Sequence, residues 1–133
     1  MNTLGKHERL KHRKKIDELF SSGRSFAVYP IRTYWKIENA GTASLKFGVG
    51  VSKRYFKKAV DRNRIKRLIR EAYRTQKKDL SLLVDEKQIN LDLFMIFTGK
   101  EIPSQQDLAI CCRNVLDKLH QVLIKPKETK PAG

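Results

Sequence analysis

Residues 59–74 read as a helix with two faces of opposite chemistry, and this constrains the fold more than any other part of the sequence. At 100° per residue, an apolar stripe forms at positions i, i+3, i+4, i+7 and i+8. It consists of Ile65, Leu68, Ile69, Ala72 and Tyr73. The opposite face gathers polar and basic side chains. These are Asn63, Lys66, Arg67, Arg70 and Arg74. One face of the helix must therefore be covered by an apolar layer, while the other stays at the surface.

The charge of this helix predicts a polyanionic partner. Between Asp61 and Arg74 there are six basic residues against two acidic ones, and five of the six are Arg. A guanidinium grips phosphate through two parallel hydrogen bonds and also stacks on bases. Solvated helix faces usually mix signs, because oppositely charged pairs four residues apart support the helix and like charges repel. A phosphate backbone would relieve the repulsion that this face leaves uncompensated.

The 133 residues suit one domain, which we place at residues 1–125, with 126–133 as a disordered basic tail. The formal net charge is +15, which is typical of proteins that bind nucleic acid or an anionic membrane surface. Residues 1–80 hold 22 Lys and Arg against 7 Asp and Glu, whereas residues 81–125 hold 5 against 6. The basic surface is therefore expected in the first three-fifths of the chain.

No segment has the ~20 apolar residues that cross a membrane, and residues 1–15 lack the apolar centre of a signal peptide. The two cysteines, Cys111 and Cys112, are neighbours and cannot staple distant parts of a fold. They are expected to be reduced, in a cytoplasmic protein.

The remaining chain predicts a sheet with helices packed on it. Leu10–Phe20 is expected to form a first helix that ends at Ser21-Ser22-Gly23, with Gly23 as the C-cap. Residues 26–29 and 31–38 read as strands, with Pro30 at a strand end. Asn39-Ala40-Gly41-Thr42 reads as a hairpin turn into a third strand, residues 45–52.

That third strand alternates apolar residues with small ones, and Gly48 and Gly50 lie on its second face. The glycines leave the backbone open for a ligand groove, or they make room for a packed neighbour; both interpretations are open. Residues 75–90 are mostly polar, with an apolar patch at 80–84 that either extends the basic helix or forms another turn.

The apolar run 91–97 predicts a central buried strand. A last helix is expected to begin at Pro103 or Ser104. The predicted fold is a single sheet with helices packed on it, in the order helix, two or three antiparallel strands, basic helix, strand, helix.

The residues offer no protein active site. His7, His12 and His120 are isolated, and no pair of carboxylates or glycine-rich phosphate loop is recognisable. What they do offer is a binding surface, because cations stand beside the aromatic residues Phe20 and Tyr34. Unpaired bases stack on aromatic rings while phosphates pair with cations. Taken alone, Phe20 suits the core better than a stacking surface.

Two stretches closely resemble the bacterial ribonuclease P protein family. They are Val51-Ser52-Lys53-Arg54 and the segment from Ala59 to Ala72 around Arg62-Asn63-Arg64. The likeness extends back through Arg9-Leu10-Lys11, Phe20, Gly23 and the Tyr34 strand, over about residues 8–75.

The resemblance implies an α+β fold, a compact α/β sandwich with one mixed sheet of about four strands in the order αβββαβα. The basic helix would form a left-handed βαβ crossover, in a fold shared with a ribosomal protein domain. It also implies partnership with a catalytic RNA that removes the 5′ leader of precursor tRNA and supplies the magnesium. The protein itself would bind no cofactor, no metal and no obligate protein partner.

By matching positions, the resemblance assigns contacts with the catalytic RNA to six residues of the basic helix, Arg62, Asn63, Arg64, Lys66, Arg67 and Arg70. We expect the flanking basic residues Lys53, Arg54, Lys57, Lys58 and Arg74 to bind RNA as well. A cleft for the leader would be lined by Phe20, Tyr34, Ser52 and Lys53. Ile16 departs from the aromatic residue that the family often carries there, and the connection between Arg74 and Leu91 is longer than usual.

Three other functions compete with this one. A ribosomal or ribosome-assembly protein shares the charge pattern, but it needs neither the Arg-Asn-Arg block nor a stacking groove. A membrane-surface protein would expose bulky apolar residues opposite the charges. A protein-only nuclease would need clustered acids or histidines.

Overall fold

The computed structural model describes residue 10 and residues 13–38 and 41–124, which form four helices and four strands. In chain order these are α1 (Arg13–Ser22), β1 (Arg24–Val28), β2 (Ile31–Glu38), β3 (Ser44–Val51), α2 (Ala59–Gln76), α3 (Lys78–Lys87), β4 (Asn90–Phe97) and α4 (Gln105–Ile124). The predicted tail 126–133 lies outside the described residues. The predicted single mixed sheet in an α+β fold is confirmed.

The sheet order, β1-β2-β4-β3, corrects one prediction. β4 lies between β2 and β3, antiparallel to the first and parallel to the second. The expected hairpin across residues 39–42 is therefore wrong, because the strands that it was to join are not neighbours; Asn39 and Ala40 themselves lie outside the described residues. The side chain of Asn90 instead accepts hydrogen bonds from Thr42 (3.4 Å) and Ser44 (3.0 Å), which tie the start of β3 to β4.

The apolar stripe of the basic helix covers one face of this sheet. Ile65 and Ile69 are completely buried, Ala72 and Tyr73 nearly so, and Leu68 lies at the half-buried margin. The Tyr73 ring stacks on Phe47 of β3 with centroids 3.9 Å apart and planes 6° apart. Burying each large apolar side chain contributes about 1.5–3 kcal/mol, so this contact fixes which face of α2 looks outward. The apolar stripe of α2 is thus covered by the protein itself and is not open to a membrane surface.

Residues 75–90, which the sequence left undecided, contain a separate helix. α2 ends at Gln76, and α3 follows after Lys77 alone, with Leu80, Leu83 and Val84 buried. Gln88 ends it in the left-handed conformation, at φ 53°. The observed order is therefore αβββααβα, one helix longer than predicted, while the left-handed sense of the crossover stays a prediction.

α1 packs on the opposite face of the sheet. Its buried Leu19 forms a small cluster with Leu10 and Phe94, against which Ile16 and Tyr34 pack. Gly23 follows the helix directly, and a Cβ there would lie 2.5 Å from the carbonyl oxygen of Leu19, so only glycine fits. The short α1 covers only part of this face and leaves the sheet beside Phe20 accessible.

Candidate nucleic-acid interface

The basic face of α2 points away from the sheet. We call Asn63, Arg64, Lys66, Arg67 and Arg70 the basic helix face. All are exposed except Lys66, which is half-buried. They project outward because Ile65 and Ile69 on the same helix are held in the core. Phosphates approaching this helix would meet cations along about two turns.

Two of the arginines expected to bind RNA are engaged inside the protein. The Nη1 atom of Arg62 donates to the carbonyl oxygens of Phe56 (2.8 Å) and Lys57 (2.9 Å). Arg74 forms a salt bridge with Glu71, three residues before it, and this hydrogen bond lowers the pKa of the Glu71 carboxyl. Both therefore support local structure, a role that the helical pattern alone did not reveal.

The segment from β3 to α2, residues 52–58, is a basic loop with one buried anchor, and we call it the exit loop. Lys53, Arg54, Lys57 and Lys58 are exposed, whereas Phe56 is 7% exposed and packs against Phe97 at 6.0 Å between ring centroids. The Ser52 hydroxyl accepts a hydrogen bond from the backbone N–H of Arg54 at 3.0 Å. These contacts hold the loop in shape while its cations face outward.

Three aromatic rings come together on the other sheet face: Phe20 is exposed, Tyr34 is half-buried and Phe94 is buried. We call Phe20, Tyr34 and Phe94 the aromatic groove. The Phe20 ring lies 4.8 Å from that of Tyr34 and 5.4 Å from that of Phe94, measured between centroids. Its exposed fraction is 42%, so the alternative of a core ring at this position is wrong. The Arg32 guanidinium lies over the Tyr34 ring at 5.9 Å. A base could stack beside a cation here.

The glycines of β3 serve packing. A Cβ on Gly48 would lie 2.6 Å from Cδ2 of Phe94, and one on Gly50 would lie 3.2 Å from Cε1 of the same ring. Phe94 therefore lies flat against the bare backbone of β3, beneath Phe20. Sequence reasoning missed this ring because the run 91–97 is apolar on both faces, which hides its alternation.

The groove and the basic helix face lie on opposite sides of the sheet. α2 and α1 cover different faces, and the exit loop leads from the end of β3 to the start of α2. Of the predicted leader-cleft residues, Phe20 and Tyr34 come together in the groove. Ser52 and Lys53 stand at the end of β3, beyond Gly50.

The described residues hold no group of three or more His, Cys, Asp or Glu side chains that could bind a metal ion. Cys111 and Cys112 are both buried, and the Cys111 thiol donates to the carbonyl oxygen of Val28 at 3.3 Å. Burial raises the pKa of the Cys112 thiol to about 12, so it stays protonated and unreactive. His7 and His12 lie outside the described residues. None of the described helices is long and apolar enough to span a membrane.

The sequence matches the family model described as Ribonuclease P over residues 4–120. It is 39% identical, over 101 residues, to the ribonuclease P protein component of Porphyromonas gingivalis, covering 75% of this chain and 74% of that protein. It is 36% identical over 115 residues to the protein of the same name from Chlorobium phaeobacteroides, covering 78% and 79% respectively.

The fold is similar to that of solved ribonuclease P proteins from Staphylococcus aureus. One of them superposes with a TM-score of 0.66 at 23% identity, covering 86% of this chain and 96% of that one. A second superposes with a TM-score of 0.57 at 24% identity, covering 90% and 92%. At these identities the likeness concerns the fold.

Proposed function

Since this chain belongs to the bacterial ribonuclease P protein family and works with the ribonuclease P RNA in an endoribonuclease, we propose that its two surfaces hold two different RNAs. The basic helix face binds the catalytic RNA. The aromatic groove binds the unpaired 5′ leader of precursor tRNA. The observation that carries this division is the position of the exposed Phe20 ring, on the sheet face opposite the arginines of α2.

The basic helix face suits a structured RNA. It presents Arg64, Arg67 and Arg70 along one side of a rigid helix. Three further exposed cations of the exit loop lie before it, Lys53, Lys57 and Lys58. A phosphate backbone is recognised by such an array without reading its sequence, because each contact neutralises charge and releases a counterion. The concentration of positive charge in residues 1–80 supports this partner.

The aromatic groove suits an unpaired strand. Rings stack on any base, and Arg32 beside Tyr34 adds a cation for the phosphate. A duplex buries its base faces against each other, so it cannot use exposed rings in this way. Mature tRNA lacks the leader, and a groove that binds only the leader would favour the substrate over the product.

The division of labour leaves the bond-breaking step to the RNA. The expected magnesium enters with the catalytic RNA, and the protein contributes affinity and position, in the cytoplasm. Binding energy from the leader, which is remote from the reacting phosphate, holds the precursor in place for cleavage.

Reconstitution tests this proposal. The protein is added to the ribonuclease P RNA of its own organism, and precursor-tRNA cleavage is followed at low magnesium concentration. We expect wild type to restore cleavage, and Arg64→Ala with Arg67→Ala to require more protein for the same rate. The matched control, Lys87→Ala with Arg113→Ala, removes two exposed cations from α3 and α4 and should behave as wild type. Failure of wild type to restore cleavage would contradict the proposal.

A further inference from the structure

Another aromatic ring is exposed away from the groove, in the exit loop. Tyr55 has 43% of its surface accessible. The Arg54 guanidinium lies 5.7 Å from the centre of its ring, and the Lys100 ammonium lies 5.6 Å from it. Lys100 comes from the loop after β4, 45 positions away in sequence. Among the described residues, neither cation has a carboxylate within ion-pair distance.

The exit loop is held in place on both sides of Tyr55. The next residue, Phe56, is buried against Phe97, and Arg62 binds the carbonyl oxygens of Phe56 and Lys57. On the other side, the Arg54 backbone is tied to the Ser52 hydroxyl. A ligand that binds Tyr55 therefore meets an ordered loop, which reduces the entropy lost on binding.

The cluster of Tyr55, Arg54 and Lys100 lies at the edge of the sheet where β3 and β4 end. The groove face runs along the same two strands. β3 and β4 run parallel, so the loops that follow them leave the same edge of the sheet. Along these strands, the row of Phe94 and Gly48 is followed by the row of Ile96 and Gly50, and then by the strand ends. Three residues of strand, from Phe94 to Phe97, span about 10 Å. The loops that carry Tyr55 and Lys100 therefore begin about 10 Å along the strands from the row that contains Phe94.

We propose that Tyr55, Arg54 and Lys100 form a second nucleotide-binding site, in which one unpaired base stacks on the tyrosine ring and the two cations hold its phosphates. The occupant is a nucleotide of the same single strand that lies in the aromatic groove. An exposed ring with cations from two loops suits a nucleotide, since a phosphate alone would not need the ring. The inference rests on the proposed binding of the leader by the groove.

The test uses the holoenzyme and precursor tRNAs whose leaders grow one nucleotide at a time. For wild type, affinity relative to mature tRNA should rise in two steps, at two different leader lengths. Tyr55→Ala should remove one step, a loss of about tenfold, and Phe20→Ala should remove the other. Tyr55→Phe retains the stacking face and should keep both steps. Lys100→Gln should weaken the same step as Tyr55→Ala, while Lys87→Gln, the charge control, should change neither.

An abasic nucleotide in the leader then locates the stacked base. At one position it should weaken binding to wild type but not to Tyr55→Ala, because that variant has already lost the contact. The inference is overturned if Tyr55→Ala keeps both steps, if it removes the same step as Phe20→Ala, or if it weakens mature tRNA equally. If the affinity of the wild-type holoenzyme does not change with leader length, the assignment of the groove to the leader is overturned as well. Thermal unfolding of each variant separates these effects from a loss of fold.

Discussion

Arg62 clamps the exit loop, because its Nη1 atom lies 2.8 Å from the carbonyl oxygen of Phe56. The same atom also reaches the carbonyl oxygen of Lys57, so one guanidinium nitrogen closes the turn that leads into α2. The first arginine of the Arg-Asn-Arg block thus shapes the RNA-binding surface from inside. The next arginine, Arg64, projects from it.

Arg62→Gln should therefore lower the free energy of unfolding by about 1–2 kcal/mol, since hydrogen bonds from a charged donor are lost. Arg64→Gln is the matched control: its side chain is exposed, and the change should stay within about 0.5 kcal/mol. Chemical denaturation of both variants measures the difference. Equal stabilities would mean that the clamp contributes nothing.

Arg64→Ala and Arg67→Ala should weaken binding to the catalytic RNA without unfolding the protein. Both side chains are exposed and lie off the buried stripe of α2. Each lost charge-assisted contact should cost about 1.5–3 kcal/mol of binding free energy. RNA affinity and thermal unfolding are measured in parallel. Unchanged affinity, or a collapsed fold, would remove these residues from the interface.

Salt should weaken the complex with the catalytic RNA steeply. The basic helix face and the exit loop offer enough cations to neutralise about six to eight phosphates, so log K should fall against log salt with a slope of roughly −4 to −7. A titration of the affinity between 50 mM and 400 mM salt gives the slope. A value near −1 would mean that most of these cations do not touch RNA.

Gly48→Ala should destabilise the fold by about 1–3 kcal/mol, because the new methyl group overlaps the Phe94 ring. Gly50→Ala provides the control, since its Cβ would meet the same ring at 3.2 Å rather than 2.6 Å. Its loss of stability should be clearly smaller. If both variants unfold at the same denaturant concentration, the close contact at Gly48 is not what requires glycine.

Much of this architecture could be predicted from the sequence where periodicity was clear. The two-faced pattern of residues 59–74 predicted both the buried stripe and the outward arginines. The alternation from Ile31 to Ile37 predicted that Tyr34 and Trp35 lie on opposite faces of the same strand. The strand order could not be predicted, because β2 and β3 are sequential and nothing local shows that β4 inserts between them.

The groove and the Tyr55 cluster depend on contacts between distant residues. Phe94 joins Phe20 and Tyr34 only because β4 pairs with β2, and Lys100 reaches Tyr55 only because β3 and β4 end at one edge. Single-sequence patterns carry no information on such pairings. The engagement of Arg62 with backbone carbonyls was hidden for the same reason, since the helix pattern assigns it a direction but not a partner.

The most direct test of the two-surface account is the ratio of precursor to mature tRNA affinity for the assembled holoenzyme. Phe20→Ala should change RNA binding with little loss of stability, because the Phe20 ring is 42% exposed and its removal leaves no buried cavity. Combined with Tyr34→Ala, it should lower the affinity for precursor tRNA at least tenfold, at about 1–3 kcal/mol per lost stacking ring. Mature tRNA and the catalytic RNA should bind as before. A ratio equal to that of wild type would contradict the assignment of the groove to the leader.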